Sequence, residues 1–204
     1  MFENLVVYFG YLLLISNICL FSLKISKLKT VYKIFYAYLL LTFIIQLSTE
    51  ILFLNGKNNL FLSHFYLVGQ FVLLSLCYKM LFIRKRLKQW VFWTTLLVLI
   101  ILFIQYILNP ELFKVFNLTE VLITALVLTT YAILFLFRSL DSSTEFIYIN
   151  IGTLIYILCS ALIFASGNLM TELDPMVNKV VWVVNGVLYI IFQIFIFIEW
   201  RKNC

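Results

Sequence analysis

The stretch Arg84-Lys85-Arg86-Leu87-Lys88 leads into Trp90-Val91-Phe92-Trp93-Thr94-Thr95-Leu96-Leu97-Val98-Leu99-Ile100-Ile101-Leu102-Phe103-Ile104-Gln105-Tyr106-Ile107-Leu108, which ends on Asn109-Pro110. The apolar run is as long as a helix that crosses a ~30 Å hydrocarbon core, about 20 residues at ~1.5 Å each. The cations before it resist entering that core, and the proline after it does not continue the helix. The same pattern recurs outward in both directions, at 5–23, 32–54, 60–82, 118–140, 146–166 and 176–200, so that 90–108 is the fourth of seven spans. The turn Asn55-Gly56-Lys57-Asn58-Asn59 separates the second from the third. No connection is long enough for a soluble domain. Residues 1–204 therefore read as a single integral membrane domain of the all-α class, a seven-transmembrane helix bundle.

Composition points the same way: 64% of residues are hydrophobic and 12% charged, against about 25% charged in an average soluble chain. The net charge of +6 reads as loop charge that sets topology, and no nucleic-acid partner is expected. Cys19, Cys77 and Cys159 fall inside spans, Cys204 follows the last one, and none has CxxC spacing. Neither a disulfide framework nor a thiolate metal site is implied. The first block runs into Lys24, Lys27 and Lys29 without a small-residue cleavage site, so it reads as a true span rather than a removed signal peptide.

Orientation follows from counting Lys and Arg on each side. One side holds Lys24, Lys27, Lys29, Lys33, Lys79, Arg84, Lys85, Arg86, Lys88, Arg138, Arg201 and Lys202, twelve of the 15; Lys57, Lys114 and Lys179 are on the other. The basic side is expected to be cytoplasmic, which puts the N-terminus outside and the C-terminus in the cytoplasm. With three acids, that face carries +9 and suits anionic lipid headgroups or an acidic protein partner.

Polar side chains inside a bilayer are costly and turn toward protein. At helical spacing the seventh span carries Asn178, Trp182, Asn185, Tyr189 and Gln193 as one polar stripe. The fifth carries Asn117, Glu120, Thr124 and Tyr131; the second Tyr38, Thr42, Gln46 and Glu50; the third Ser63, Tyr66, Gln70 and Cys77, with His64 beside that face; the sixth Asn150, Thr153, Ser160 and Gly167. The fourth is apolar nearly all round from Leu96 to Ile104, which predicts a peripheral helix. Spans of similar length on either side of it suggest a 3+1+3 arrangement.

Depth adds a second regularity. Glu50 sits about one turn, roughly 6 Å, below the outer surface, and the third and fifth spans begin near that surface. Glu50, His64 and Glu120 therefore share one outer shelf, with Gln46, Gln70 and Asn185 deeper. These six are the candidate ligand or proton site. Histidine changes charge near neutral pH, so convergence of the shelf would make function pH-responsive. The plain alternative is packing and interhelical hydrogen bonding.

Several chemistries lack their residues. One histidine in the chain argues against a zinc hydrolase, including membrane hydrolases of the ceramidase and progestin-receptor-like type, so no metal site and no cofactor are expected. There is no GxSxG elbow, P-loop or GxGxxG, and no lysine midway along the last span as a retinal protein requires. Pro110 and Pro175 lie in outer loops, whereas seven-helix sugar transporters carry prolines within their spans.

The Phe/Ile/Lys/Asn-rich wording, the segment His64-Phe65-Tyr66 to Gln70-Phe71 and the run Phe197-Ile198-Glu199-Trp200 resemble small seven-helix integral membrane proteins of Bacteroidetes-type bacteria. The resemblance covers the whole chain and brings no activity with it. It implies a multi-pass protein of the bacterial inner membrane, and some proteins of this kind act as accessories to defence or signalling systems. The leading expectation is a non-enzymatic accessory or sensor that binds a small ligand or lipid in an outward-facing polar pocket, alone, with a protein partner or as a homo-oligomer. A second is an intramembrane lipid-processing enzyme with His64 as base and Glu50 or Glu120 as its partner. A third is a small-solute transporter or channel.

Overall fold

In lipid a backbone must satisfy its own hydrogen bonds, so apolar runs of this length become helices. A computed structural model describes residues 2–139, 145–170 and 175–204, with side chains 2–4, 167–170, 175, 177 and 178 left aside. The expectations resting on Asn178 and Gly167 lie outside the described side chains. Among the described residues the order is α1 (Phe2–Lys24), α2 (Thr30–Leu54), α3 (Phe61–Leu81), α4 (Lys85–Leu108), a 3-10 turn (Pro110–Lys114), α5 (Leu118–Ser139), α6 (Ile147–Met170) and α7 (Pro175–Asn203). All seven helices are long and apolar enough to cross a membrane. The chain is an all-α, multi-pass membrane protein.

Helix ends depart from the hydropathy boundaries where cations lie. α4 starts at Lys85, inside the basic run, and α7 continues past Trp200 to Asn203. Lys and Arg stems lie along the helix while their heads reach water, so the backbone has no reason to stop at the edge of the apolar block. α2 stops where Gly56 adopts φ 64. The N–H of Lys57 donates to Leu52 O and that of Gly56 to Phe53 O, the paired bonds of a Schellman end.

The described chain forms two compact units, Lys29–Tyr131 and Met1–Leu28 with Ala132–Cys204. In the first, α3 packs against both α2 and α4. Its core is aromatic, with Tyr32, Phe35, Tyr38, Phe71 and Tyr78 all buried. In the second, α7 packs on α1 and on α6. Small residues let these helices approach, as usual in membranes. Gly10 faces Tyr189, Gly186 faces Val6, and Gly152 faces Phe192 and Phe195. A polar clasp ties α1 to α7: buried Asn17 donates through Nδ2 to Gln193 O at 2.9 Å and Gln193 Oε1 at 2.8 Å.

Candidate functional site

The site is built at one end of the first unit from three helix ends and a turn. His64 lies in the first turn of α3, Glu120 in the first turn of α5, and Tyr106 in the last turn of α4. Asn109-Pro110 ends α4 and starts the 3-10 turn, which carries Phe113. Asn117 starts α5: its Oδ1 accepts the Glu120 N–H at 3.4 Å, the position an N-cap side chain takes. Its Nδ2 donates to Tyr106 Oη at 3.2 Å and, at 3.4 Å, to Gln105 Oε1. One residue thus begins a helix and aims a site side chain.

At the centre, His64 Nδ1 and Glu120 Oε2 are 2.7 Å apart. Tyr106 Oη donates to the same Glu120 oxygen at 2.6 Å and stands 2.8 Å from Nδ1. When ionised, the Glu120 carboxylate only accepts, so the proton then sits on Nδ1 and Nε2 points away from the pair. The His64 ring stacks on Phe113 with centroids 5.3 Å apart and meets Tyr106 edge-on, also at 5.3 Å. His64 is 3% exposed and Glu120 fully buried.

Two polar atoms of this cluster, His64 Nε2 and Glu120 Oε1, are buried with no hydrogen-bond partner among the described residues. Leaving such an atom unpaired costs about 1–3 kcal/mol. With Nδ1 protonated, Nε2 and Oε1 are both acceptors, so the cluster holds two open acceptors ready for a donor it does not itself supply. Among the described residues no three His, Cys, Asp or Glu side chains come together to hold a metal ion.

The other shelf residues stand elsewhere. Glu50, half-buried on α2, forms no hydrogen bond or ion pair with any described residue. Matched depth left its direction around the helix axis open, and no bond joins it to His64, Tyr106 or Glu120. Gln70 donates to Tyr38 Oη at 3.3 Å, linking α3 to α2. Gln46 Oε1 is buried without a partner among the described residues. Asn185 belongs to the second unit, where it accepts Ser160 Oγ at 2.7 Å. Of the stripe on α7, Tyr189 and Gln193 are buried. Trp182 lies beyond that seam, 55% exposed, with its ring edge-on to Phe164.

Tyr106 and Phe113 were not legible as site residues. α4 reads by its apolar middle, and Tyr106 lies just past it; its signal is depth, since it closes a helix at the end where α3 and α5 begin. Phe113 sits in a connection with no helical period to assign it a face. Comparison of the chain with protein-family models, curated proteins and solved structures finds no match.

Proposed function

We infer that this protein is an inner-membrane accessory or sensor of a bacterium, binding a small polar ligand or lipid headgroup at His64 and Glu120. One observation carries the reading: the free Nε2 and Oε1 atoms on a buried, hydrogen-bonded pair whose ring is held by Phe113 and Tyr106. Buried ionisable groups inside a span are expensive and mark functional positions. In this reading the N-terminus is outside, the C-terminus is cytoplasmic, and the site faces outward, supported by the twelve-to-three split of basic residues. The fourth helix of the 3+1+3 arrangement is peripheral, consistent with the exposure of Trp93, Leu97 and Ile104. Anionic lipids gather at the basic face.

A second reading is favoured by one feature of the same geometry. A carboxylate that holds Nδ1–H and leaves Nε2 free orients a histidine as a general base. Nε2 would take a proton from water as its oxygen attacks a lipid ester carbonyl, then return it to the departing alkoxide. No hydroxyl or thiol nucleophile bonds Nε2 among the described residues, so water is the nucleophile in this reading.

His64 is the only histidine in the chain, so a protein labelled with ¹⁵N-histidine in nanodiscs gives one imidazole signal. Glycerol 3-phosphate, phosphoethanolamine and short-chain phosphatidylglycerol are added in turn. Movement of the Nε2 resonance with at least one supports ligand binding. An Nε2 resonance unmoved by all of them and by pH sinks it and leaves packing. Release of fatty acid that disappears in His64→Ala would instead establish the enzyme.

A further inference from the structure

A second feature of the first unit lies at the opposite end of α3. Lys79 is 15 residues from His64 along that helix, roughly 22 Å at ~1.5 Å per residue, so the two places are separate. Here α3 and α4 leave between them a groove of about 140 Å³, open along one side. Its walls are apolar: Val72 and Leu76 from α3, Leu96 and Leu99 from α4. Both helices are membrane-spanning at this level, so the groove opens toward acyl chains rather than water.

Three polar residues break the apolar lining: Thr95 Oγ1 donates to Val91 O at 2.7 Å, whereas Ser75 and Lys79 form no hydrogen bond or ion pair among the described residues. Lys79 has no acidic partner among the described residues; its Nζ sits 4.7 Å from the centroid of the Phe92 ring. Ser75 is 1% exposed and its Oγ has no hydrogen-bond partner among the described residues. A serine or threonine within a helix normally donates to the carbonyl four residues back. Ser16, Thr42, Ser48, Thr95 and Ser139 all do so here. Ser75, in the groove, does not, and neither do Thr129 and Thr153 outside it.

We propose that this groove binds an anionic phospholipid, with one acyl chain between α3 and α4 and the phosphate on Lys79. Charge complementarity selects the headgroup: Arg84, Lys85, Arg86 and Lys88 follow Lys79 at the same end, and clustered cations beside a span hold anionic lipid. Ser75 lies one turn from Lys79 toward the membrane centre, where the glycerol esters follow the phosphate, and its hydroxyl donates to an ester carbonyl. Phe92 is the surface along which the Lys79 ammonium turns toward the phosphate.

The test uses the full chain in vesicles containing phosphatidylglycerol or phosphatidylcholine with the same photoactivatable acyl chain, and the labelled peptides are mapped. Phosphatidylglycerol label concentrates several-fold on 72–79 and 91–99 over other apolar faces, and exceeds phosphatidylcholine label there. Lys79→Gln brings the two lipids to equality, Lys79→Arg keeps the preference, and Leu76→Trp, which fills the groove, lowers both. Size-exclusion profiles identify variants that fold. Equal labelling of the wild type by the two lipids, a preference that survives Lys79→Gln, label spread evenly over the apolar faces, or crosslinks between copies through α3 and α4 each overturn the proposal.

Discussion

The carboxylate of Glu199 accepts the backbone N–H of Phe146 at 2.7 Å, and through its other oxygen the N–H of Tyr148 at 2.9 Å. Glu199 is fully buried near the end of α7, and Phe146 holds the left-handed φ of 72 just before α6 begins. A bulky residue in that region costs about 1–2 kcal/mol, and a helix start leaves N–H groups unpaired. The acid answers both needs, with Asn203 Nδ2 donating to it as well. Glu199→Ala leaves buried N–H groups without acceptors and lowers stability by about 2–3 kcal/mol, read as loss of thermal stability in detergent. Glu199→Asp keeps the charge one methylene short and falls between. A variant as stable as the parent would remove the clamp.

The second prediction concerns the imidazole. With Glu120 ionised, the 2.7 Å contact puts the His64 proton on Nδ1. Glu120→Leu removes the acceptor and shifts the ring toward the Nε2–H form in the ¹⁵N spectrum. Tyr106→Phe leaves the tautomer in place, since Glu120 still accepts from Nδ1. Equal changes in the two variants would mean that the tyrosine, not the acid, sets the tautomer.

Asn17 and Gln193 form the third test. Hydrogen bonds between membrane helices are worth about 0.6 kcal/mol on average and up to about 1.7. Gln193→Ala removes the Oε1 acceptor at 2.8 Å and keeps the backbone O at 2.9 Å, so a double-mutant cycle with Asn17→Ala returns the side-chain share, about 0.6 kcal/mol. Additive losses would show that the Oε1 bond is incidental and leave the bond to the Gln193 carbonyl as the clasp.

Two glycines separate tolerable from intolerable crowding. A methyl at Gly152 would lie 2.8 Å from Phe195 Cβ and 3.0 Å from Phe192 Cδ2, and a Cβ cannot move without its backbone. A methyl at Gly69 would strike Leu41 Cδ2, the far end of a flexible side chain. Gly152→Ala therefore destabilises by about 1–3 kcal/mol, as overpacking does, while Gly69→Ala costs less because Leu41 changes rotamer. Thermal unfolding of the pair gives the order, and the reverse order would refute it.

A topology reporter fused after Cys204 is cytoplasmic and one within Asn55–Asn59 is external. An external C-terminal reporter would overturn the proposed orientation. Thiol labelling at Cys204 reads out poorly at neutral pH. Burial, with help from the Glu199 and Glu145 charges and against Lys24, pushes that thiol up to about 12. Maleimide reacts with the thiolate, so labelling at Cys204 speeds up as pH rises toward that value.

The spans were legible because the bilayer imposes one length and one composition on each of them. Their ends were not, because Lys85, Arg86 and Arg201 keep the helix going where hydropathy stops. His64 and Glu120 could be paired by depth, which residue number fixes once direction is known. Glu50 shared that depth and forms no bond with the pair, and depth alone does not settle the direction a side chain takes around its helix. Asn17 and Glu199 carried no pattern of their own. Each is a single polar residue whose partner is distant in sequence.

The clasp between Asn17 and Gln193 spans 176 residues of chain. At about 5–20 residues per second of synthesis, α1 waits roughly 10–35 s in the membrane before α7 is made. For that interval the Asn17 amide faces lipid or a borrowed partner, whereas α2, α3 and α4 meet their neighbours as they emerge. Biogenesis of this protein therefore contains a waiting period between the first helix and its partner, and a translational pause before α7 lengthens it.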